Sequence, residues 1–316
     1  MLVEKISMAG RKYAIIGTGG IGGYYGGRLA RSGQEVHFLL RSDYEAVRED
    51  GLRVDSVDGD FRIFPAKAYN DTRQMPRCDV ILVCMKTTGN TALATMLAPL
   101  LHENSLVILI QNGLNMEQEL SAALPGAILA GATAFICTFK VGPGHVRHAA
   151  YGDLSLAPFH QAAEMLLPAV MDDMRQAGIT VRYEPDLRLL RWQKLVWNIP
   201  YNGLTVVLNA TTAELTFQPD SRRLVISLMR EVTAAAACCG AEIADSFIDR
   251  MIALTEKMTP YAPSMKLDYD AGRPMEIRTM YLNPLQQARQ AGYEMKKVQM
   301  LADLLSFMQE RRLNSK

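Results

Sequence analysis

The chain has 316 residues, enough for two domains, with 49% hydrophobic and 21% charged residues and a formal net charge of +1. This is the composition of an ordinary globular protein. With no long basic or acidic block, it excludes nucleic acid, a membrane surface and polyanions as expected partners. The opening stretch "MLVEKISMAGRKYAIIG" has no apolar core of signal-peptide length. No later run of about 18 apolar residues escapes polar interruption, so the expected setting is the cytoplasm. The five cysteines, Cys78, Cys84, Cys137, Cys238 and Cys239, make no C-x-x-C pair and have no histidine at a zinc spacing. They are expected to be reduced and mostly buried, and no metal is expected.

In chain order, "KYAIIG", "EVHFLL", "DVILVCM" and "SLVILIQ" are short β-rich runs separated by segments of helical length and pattern. That alternation predicts an α/β domain with a parallel sheet and helices on both faces. Residues 127–157 read as further strands with a Gly-Pro-Gly turn, a hairpin that closes the domain. After "TVRYEP" the β signal fades, and from Asp186 the chain reads as amphipathic or apolar helices punctuated by proline and glycine. The expected division is 1–185 for a dinucleotide-binding domain and 186–316 for an all-helical substrate domain. Methionine-rich apolar helices in the second half suit either a core or the surface of a homodimer.

The first strand runs into Gly17, Gly19 and Gly22 in a G-x-G-x-x-G pattern that opens a helix. Gly17 would allow the tight turn, Gly19 the approach of a pyrophosphate, and Gly22 the close packing of helix on strand. The loop of Gly17, Gly19, Gly20, Ile21 and Gly22 is therefore the candidate phosphate cradle, its amides facing the ligand at the helix start. The second strand selects the dinucleotide. Its apolar run ends at Leu40 and is followed by Arg41, where an NAD-selective strand would end in an acid, and Glu35 stands at the wrong end. An arginine there suits a 2′-phosphate, so NADP(H) is expected, with Asp43 leaving room for NAD. Two more strand ends deliver Lys86 and Asn112, candidate cofactor contacts on the same edge of the sheet.

In "QKLVWNIPYNGL", Lys194, Asn198 and Asn202 recur every four residues and share one stripe of a helix whose other positions are large and apolar. A helix buried nearly all round must give those groups polar partners, since an unpaired one costs about 1–3 kcal/mol. The alternative is an amphipathic helix with a solvated stripe. Pro200 lacks an amide hydrogen and is expected to bend or restart the helix between Asn198 and Asn202.

Taken with the glycine motif and "QNG", "KLVWNIPYN" and the later "PSMKLDYDAGRPMEIRTMYLNPLQQA" give a pattern that resembles the ketopantoate reductase family, the 2-dehydropantoate 2-reductases. The resemblance spans nearly the whole chain. It implies a Rossmann domain followed by an all-helical domain of the 6-phosphogluconate-dehydrogenase-like type, with NADPH as hydride donor. The implied reaction is reduction of a 2-keto acid in a cleft between the domains, ketopantoate to pantoate in pantothenate and coenzyme A biosynthesis. By position it implies Lys194 as the catalytic acid, Asn198, Asn202 and Asn112 as substrate-orienting amides, Ser264 as a donor to the substrate carboxylate, and Glu276 as a second catalytic group. Hydride arriving at C2 builds charge on the carbonyl oxygen, which needs a proton donor and fixed hydrogen-bond donors. Glu276 would accept from a substrate hydroxyl or orient Lys194.

The chain departs from the family pattern at Asn202-Gly203, at Asn283-Pro284 and at Tyr261, Ala262 and Pro263 before Ser264. These positions bear on which keto acid is taken more than on the reaction type. Two rivals are a β-hydroxyacid dehydrogenase, whose serine-glycine-glycine loop is missing from "GATAFICTFKVGPG", and an NADPH-sensing protein without catalysis.

Overall fold

A computed structural model describes residues 10–258 and 261–313, so the reading of the first nine residues lies outside the described ones. The chain forms two compact units. One takes the residues up to Gln111 and Glu117–Leu187; the other takes Asn112–Met116 and the residues from Arg188 onward.

The first unit is built on a ten-stranded sheet, counted over the described residues. Its strands are β1 (Lys12–Ile16), β2 (Glu35–Leu39), β3 (Leu52–Ser56), β4 (Phe61–Ile63) and β5 (Lys67–Tyr69), then β6 (Val80–Val83), β7 (Leu106–Leu109), β8 (Ile128–Gly142), β9 (His145–Pro158) and β10 (Val181–Tyr183). The order is β4-β3-β9-β8-β7-β6-β1-β2-β5, with β10 beside β9. From β5 to β8 all neighbours are parallel. There β6 and β7 are buried at every residue, as strands covered on both faces must be.

The four strands anticipated from the alternation pair parallel as expected, and the sheet as a whole is mixed. Strands β8 and β9 pair antiparallel around the anticipated Gly-Pro-Gly turn, and β4 adds antiparallel to β3. Between β2 and β6 the chain makes a short α-helix, Tyr44–Asp50, then β3, β4 and β5 and a 3-10 turn, Thr72–Gln74, where longer helical segments were expected. Those strands are short and half-polar, so local pattern carried little signal for them and pairing in the sheet decides their state. A helix, Gly20–Arg31, lies against the sheet through its glycines: a Cβ at Gly22 would stand 2.8 Å from the Ile15 side chain, and one at Gly26 2.7 Å from it.

In the second unit every regular element among the described residues is helical. Its centre is Leu187–Val207, which carries Lys194, Asn198 and Asn202 and runs unbroken through Pro200. The restart expected at Pro200 does not occur. Proline inside a helix costs roughly 3 kcal/mol, but Leu195, Val196, Ile199 and Tyr201 around it are fully buried, and packing of that extent outweighs the penalty. The helix is buried nearly all round, so the solvated-stripe alternative fails.

No helix among the described residues is long and apolar enough to cross a membrane. All five cysteines are free thiols, but only Cys78 is fully buried, and Cys238 is exposed. Cys238 and Cys239 stand at the carboxyl end of the surface helix Pro219–Cys238, where a helix end leaves side chains open.

Candidate active site

The first unit holds the glycine loop at the carboxyl end of β1, between β2 and β6, where the strand order switches direction. Each glycine has a separate steric reason. Gly17 has φ +96°, and a Cβ there would come within 2.6 Å of the Met85 backbone. At Gly22 a Cβ would meet the Gly17 carbonyl at 2.3 Å, so the helix can approach the strand only without one. At Gly19 it would meet nothing within 4 Å, which leaves open space above the helix start. Gly19 is the N-cap and supplies no side-chain cap, so Gly20, Ile21 and Gly22 present the amides of the first turn. The loop has the shape a dinucleotide pyrophosphate requires.

Thr18 ties this loop to the end of β2, its hydroxyl donating to the Leu39 carbonyl at 3.0 Å. Two residues beyond that carbonyl stands Arg41, exposed. Asp43, by contrast, is buried and committed. Its carboxylate accepts from Lys140 Nζ at 2.7 and 2.9 Å, from the Gly144 amide at 3.1 Å and from the Ser42 hydroxyl at 2.8 Å. Burial by itself would raise its pKa, but these donors hold the carboxyl below its ordinary value. Asp43 therefore locks the turn of the β8–β9 hairpin. Lys86, after β6, is exposed. The loop behind it is held by Gln111, whose Nε2 donates to the Met85 carbonyl at 2.8 Å and to Asn90 Oδ1 at 2.7 Å. Gln111 precedes Asn112 in "QNG", but nothing in the local pattern marks it or Asn90 as a brace for the loop.

In the second unit the polar stripe of the lysine helix is brought against two other segments. Asn198, 3% exposed, donates from Nδ2 to Asn112 Oδ1 at 3.2 Å. Asn202, 2% exposed, accepts at Oδ1 from the Met265 amide at 3.0 Å and from the Ser264 hydroxyl at 3.4 Å. It thus caps the helix Ser264–Asp270, whose own N-cap residue, Pro263, offers no side-chain cap. Glu276 is buried just before a π-helical turn, Arg278–Leu282.

Lys194 keeps part of its surface accessible, yet desolvation lowers its pKa from 10.5 to about 8. Its Nζ lies 5.9 Å from the Trp197 ring centre. Trp197 in turn stacks on Tyr201 at 4.8 Å and lies parallel to Tyr261 at 6.2 Å, while its indole N–H donates to Thr255 Oγ1 at 3.0 Å. This aromatic wall beside the lysine includes Tyr261, one of the departures from the family pattern. No cluster of three or more His, Cys, Asp or Glu among the described residues could hold a metal.

Comparison with known proteins identifies the family and the fold. The family model "Ketopantoate reductase PanE/ApbA" matches residues 13–161, and its C-terminal counterpart matches residues 186–309. A 2-dehydropantoate 2-reductase of Nostoc sp. is 46% identical over 306 residues, 95% of this chain and 96% of the relative. The crystal structure of a 2-dehydropantoate 2-reductase from Geobacter metallireducens superposes with a TM-score of 0.90 at 39% identity, covering 93% of this chain and 99% of that one. A D-mandelate dehydrogenase solved with NADH and anilino(oxo)acetate shares the fold, with a TM-score of 0.87 at 19% identity over 96% of this chain and 99% of that one. With both halves matched in order by one family, and a relative this similar along nearly its full length, the chain belongs to the ketopantoate reductases, oxidoreductases that depend on a nicotinamide dinucleotide.

Proposed function

We propose that the protein reduces 2-dehydropantoate to pantoate with NADPH, in the cytoplasm, as the step that supplies pantoate for pantothenate and coenzyme A. The observation that carries this reading is Lys194, a lysine on a buried helix with its pKa lowered to about 8 and hydrogen-bonding amides one and two turns along the same stripe. The relatives named 2-dehydropantoate 2-reductase support the substrate. Five free thiols suit a reducing compartment.

The dinucleotide, when bound in the glycine cradle, supplies the hydride. The remaining work falls to the chain's own side chains. The Lys194 ammonium gives its proton to the oxygen at C2 as charge builds there, and a pKa near 8 keeps it mostly protonated at neutral pH while making it a stronger acid than an ordinary lysine. Asn112 and Asn198, paired with each other, orient the carbonyl. The Ser264 hydroxyl, 3.4 Å from Asn202 Oδ1, turns its one proton from that oxygen to the substrate carboxylate. Asn202 acts by holding the start of the Ser264–Asp270 helix, its oxygen accepting from the Met265 amide at 3.0 Å. Glu276 accepts from the substrate hydroxyl or orients Lys194.

Arg41 supports NADPH over NADH, since it is exposed just past β2 while the neighbouring acid, Asp43, is taken up by Lys140 and Gly144. The test follows dinucleotide oxidation with 2-dehydropantoate. Arg41→Ala should raise the KM for NADPH about 10- to 100-fold, the loss of a charge-assisted contact, and leave that for NADH nearly unchanged. A wild-type enzyme that prefers NADH would reject the assignment. Dinucleotide binding without turnover of any 2-keto acid would favour the sensor reading.

A further inference from the structure

Within the second unit, a second polar stripe grips the segment that carries Asn112. Thr279, Asn283 and Gln287 recur every four residues along the π-helical turn Arg278–Leu282 and the helix Asn283–Gln290 that continues it. Thr279 accepts the Leu114 amide at its carbonyl, at 3.0 Å. Asn283, buried, donates from Nδ2 to the Leu114 carbonyl at 2.8 Å. Gln287 Nε2 donates to the side chain of Asn115. Both backbone polar groups of Leu114 are thus held from one helix face, as a neighbouring strand would hold them.

The sequence explains why that face can do this. In a π-turn the Thr279 carbonyl would look to the amide of residue 284, and Pro284 has none. At that position the Thr279 carbonyl accepts from the Leu114 amide. Gly113, between Leu114 and Asn112, has φ +109°, and a Cβ there would meet the Thr279 carbonyl at 2.3 Å. The backbone on one side of Asn112 is set by this clamp, and the Asn112 side chain is then in place to accept from Asn198 at 3.2 Å.

We infer that Asn283 is a positioning residue for the reaction: together with the proline-opened π-turn it clamps Leu114, and through Gly113 it holds Asn112 against Asn198. This rests on the reading of Asn112 and Asn198 as the amides that orient the keto acid. The dipeptide Asn283-Pro284, a departure from the family pattern, is in this chain the device that sets the geometry of that pair.

The test uses the full-length protein and the near-isosteric Asn283→Asp, which replaces the donor with an oxygen. The kcat for 2-dehydropantoate should fall about 10- to 100-fold, the scale of misplacing an orienting group, while the Kd for NADPH stays within twofold of wild type. In an Asn112→Ala background the same substitution should change kcat less than about twofold, because the residue it acts through is gone. Multiplying effects in the double variant, or an unchanged kcat in the single one, would overturn the inference. Hydrogen–deuterium exchange of the 112–116 segment reads the clamp without substrate. Protection there should drop in Asn283→Asp, and unchanged protection removes the clamp whatever the activity. If the wild-type protein turns over no 2-keto acid, the functional reading falls and the positioning role with it, while exchange still decides whether the clamp exists.

Discussion

Lys194 shows how one residue's environment sets its chemistry. The Leu187–Val207 helix holds it among apolar neighbours and the Trp197 ring, and desolvation lowers its pKa to about 8. Its folded pKa lies below its ordinary value of 10.5. Between those two values the unfolded chain binds the proton that the folded one has lost, so this group's contribution to stability rises with pH across that window. Catalysis has the opposite dependence. In the proposed reduction the acid form is the working form, so on that proposal kcat should decline as pH rises through about 8. Lys194→Ala should lower kcat by about 100- to 10,000-fold, the usual scale for a general acid, and leave NADPH binding nearly intact. Near-wild-type turnover in that variant would remove Lys194 from the mechanism.

At the scale of elements, the lysine helix is fixed by contacts that its own sequence does not advertise. The Tyr281 hydroxyl donates to the Ile199 carbonyl at 2.9 Å, one residue before Pro200. That hydroxyl reaches the backbone because residue 203 is glycine: a Cβ there would stand 2.7 Å from it and 2.6 Å from a Leu301 methyl. Gly203, another departure from the family pattern, is thus matched by Tyr281 and Leu301. Gly203→Ala should destabilise the protein by about 1–3 kcal/mol through overpacking, despite alanine's better helix propensity. An unchanged or raised unfolding midpoint in urea would contradict this packing argument. In sequence, Gly203 and Asn283-Pro284 are visible only as mismatches, because their compensating partners lie about 80 and 170 residues away in the chain.

Over the whole molecule, the chain enters the second unit at Asn112, returns to the first at Glu117 and leaves again at Arg188. Unfolding the second unit therefore releases a segment continuous with β7 of the first. The two tryptophans, Trp192 and Trp197, both lie on the lysine helix, so tryptophan emission follows the second unit. Dinucleotide at about 100 times its Kd should stabilise the unit that binds it by about 2.7 kcal/mol. Because the chain crosses between the units three times, the midpoint reported by tryptophan should rise with NADPH as well. If far-UV ellipticity shifts with NADPH and the tryptophan midpoint does not, the units unfold independently.

The two-part plan, the glycine motif, Lys194 and its stripe, and the Gly-Pro-Gly hairpin were legible in the sequence, because each rests on local spacing or a buried run, and the family was legible as a resemblance carried by the order of several motifs. A G-x-G-x-x-G after a strand and a four-residue polar recurrence in an apolar helix are properties of short segments. Tertiary structure decided the mixed sheet, the unbroken passage through Pro200, the commitment of Asp43 to Lys140, and the partners of Asn112 and Asn202. Each of these is settled by groups far away in the chain, whose pairing and burial outweigh local preference by several kcal/mol. No window of neighbouring residues contains them.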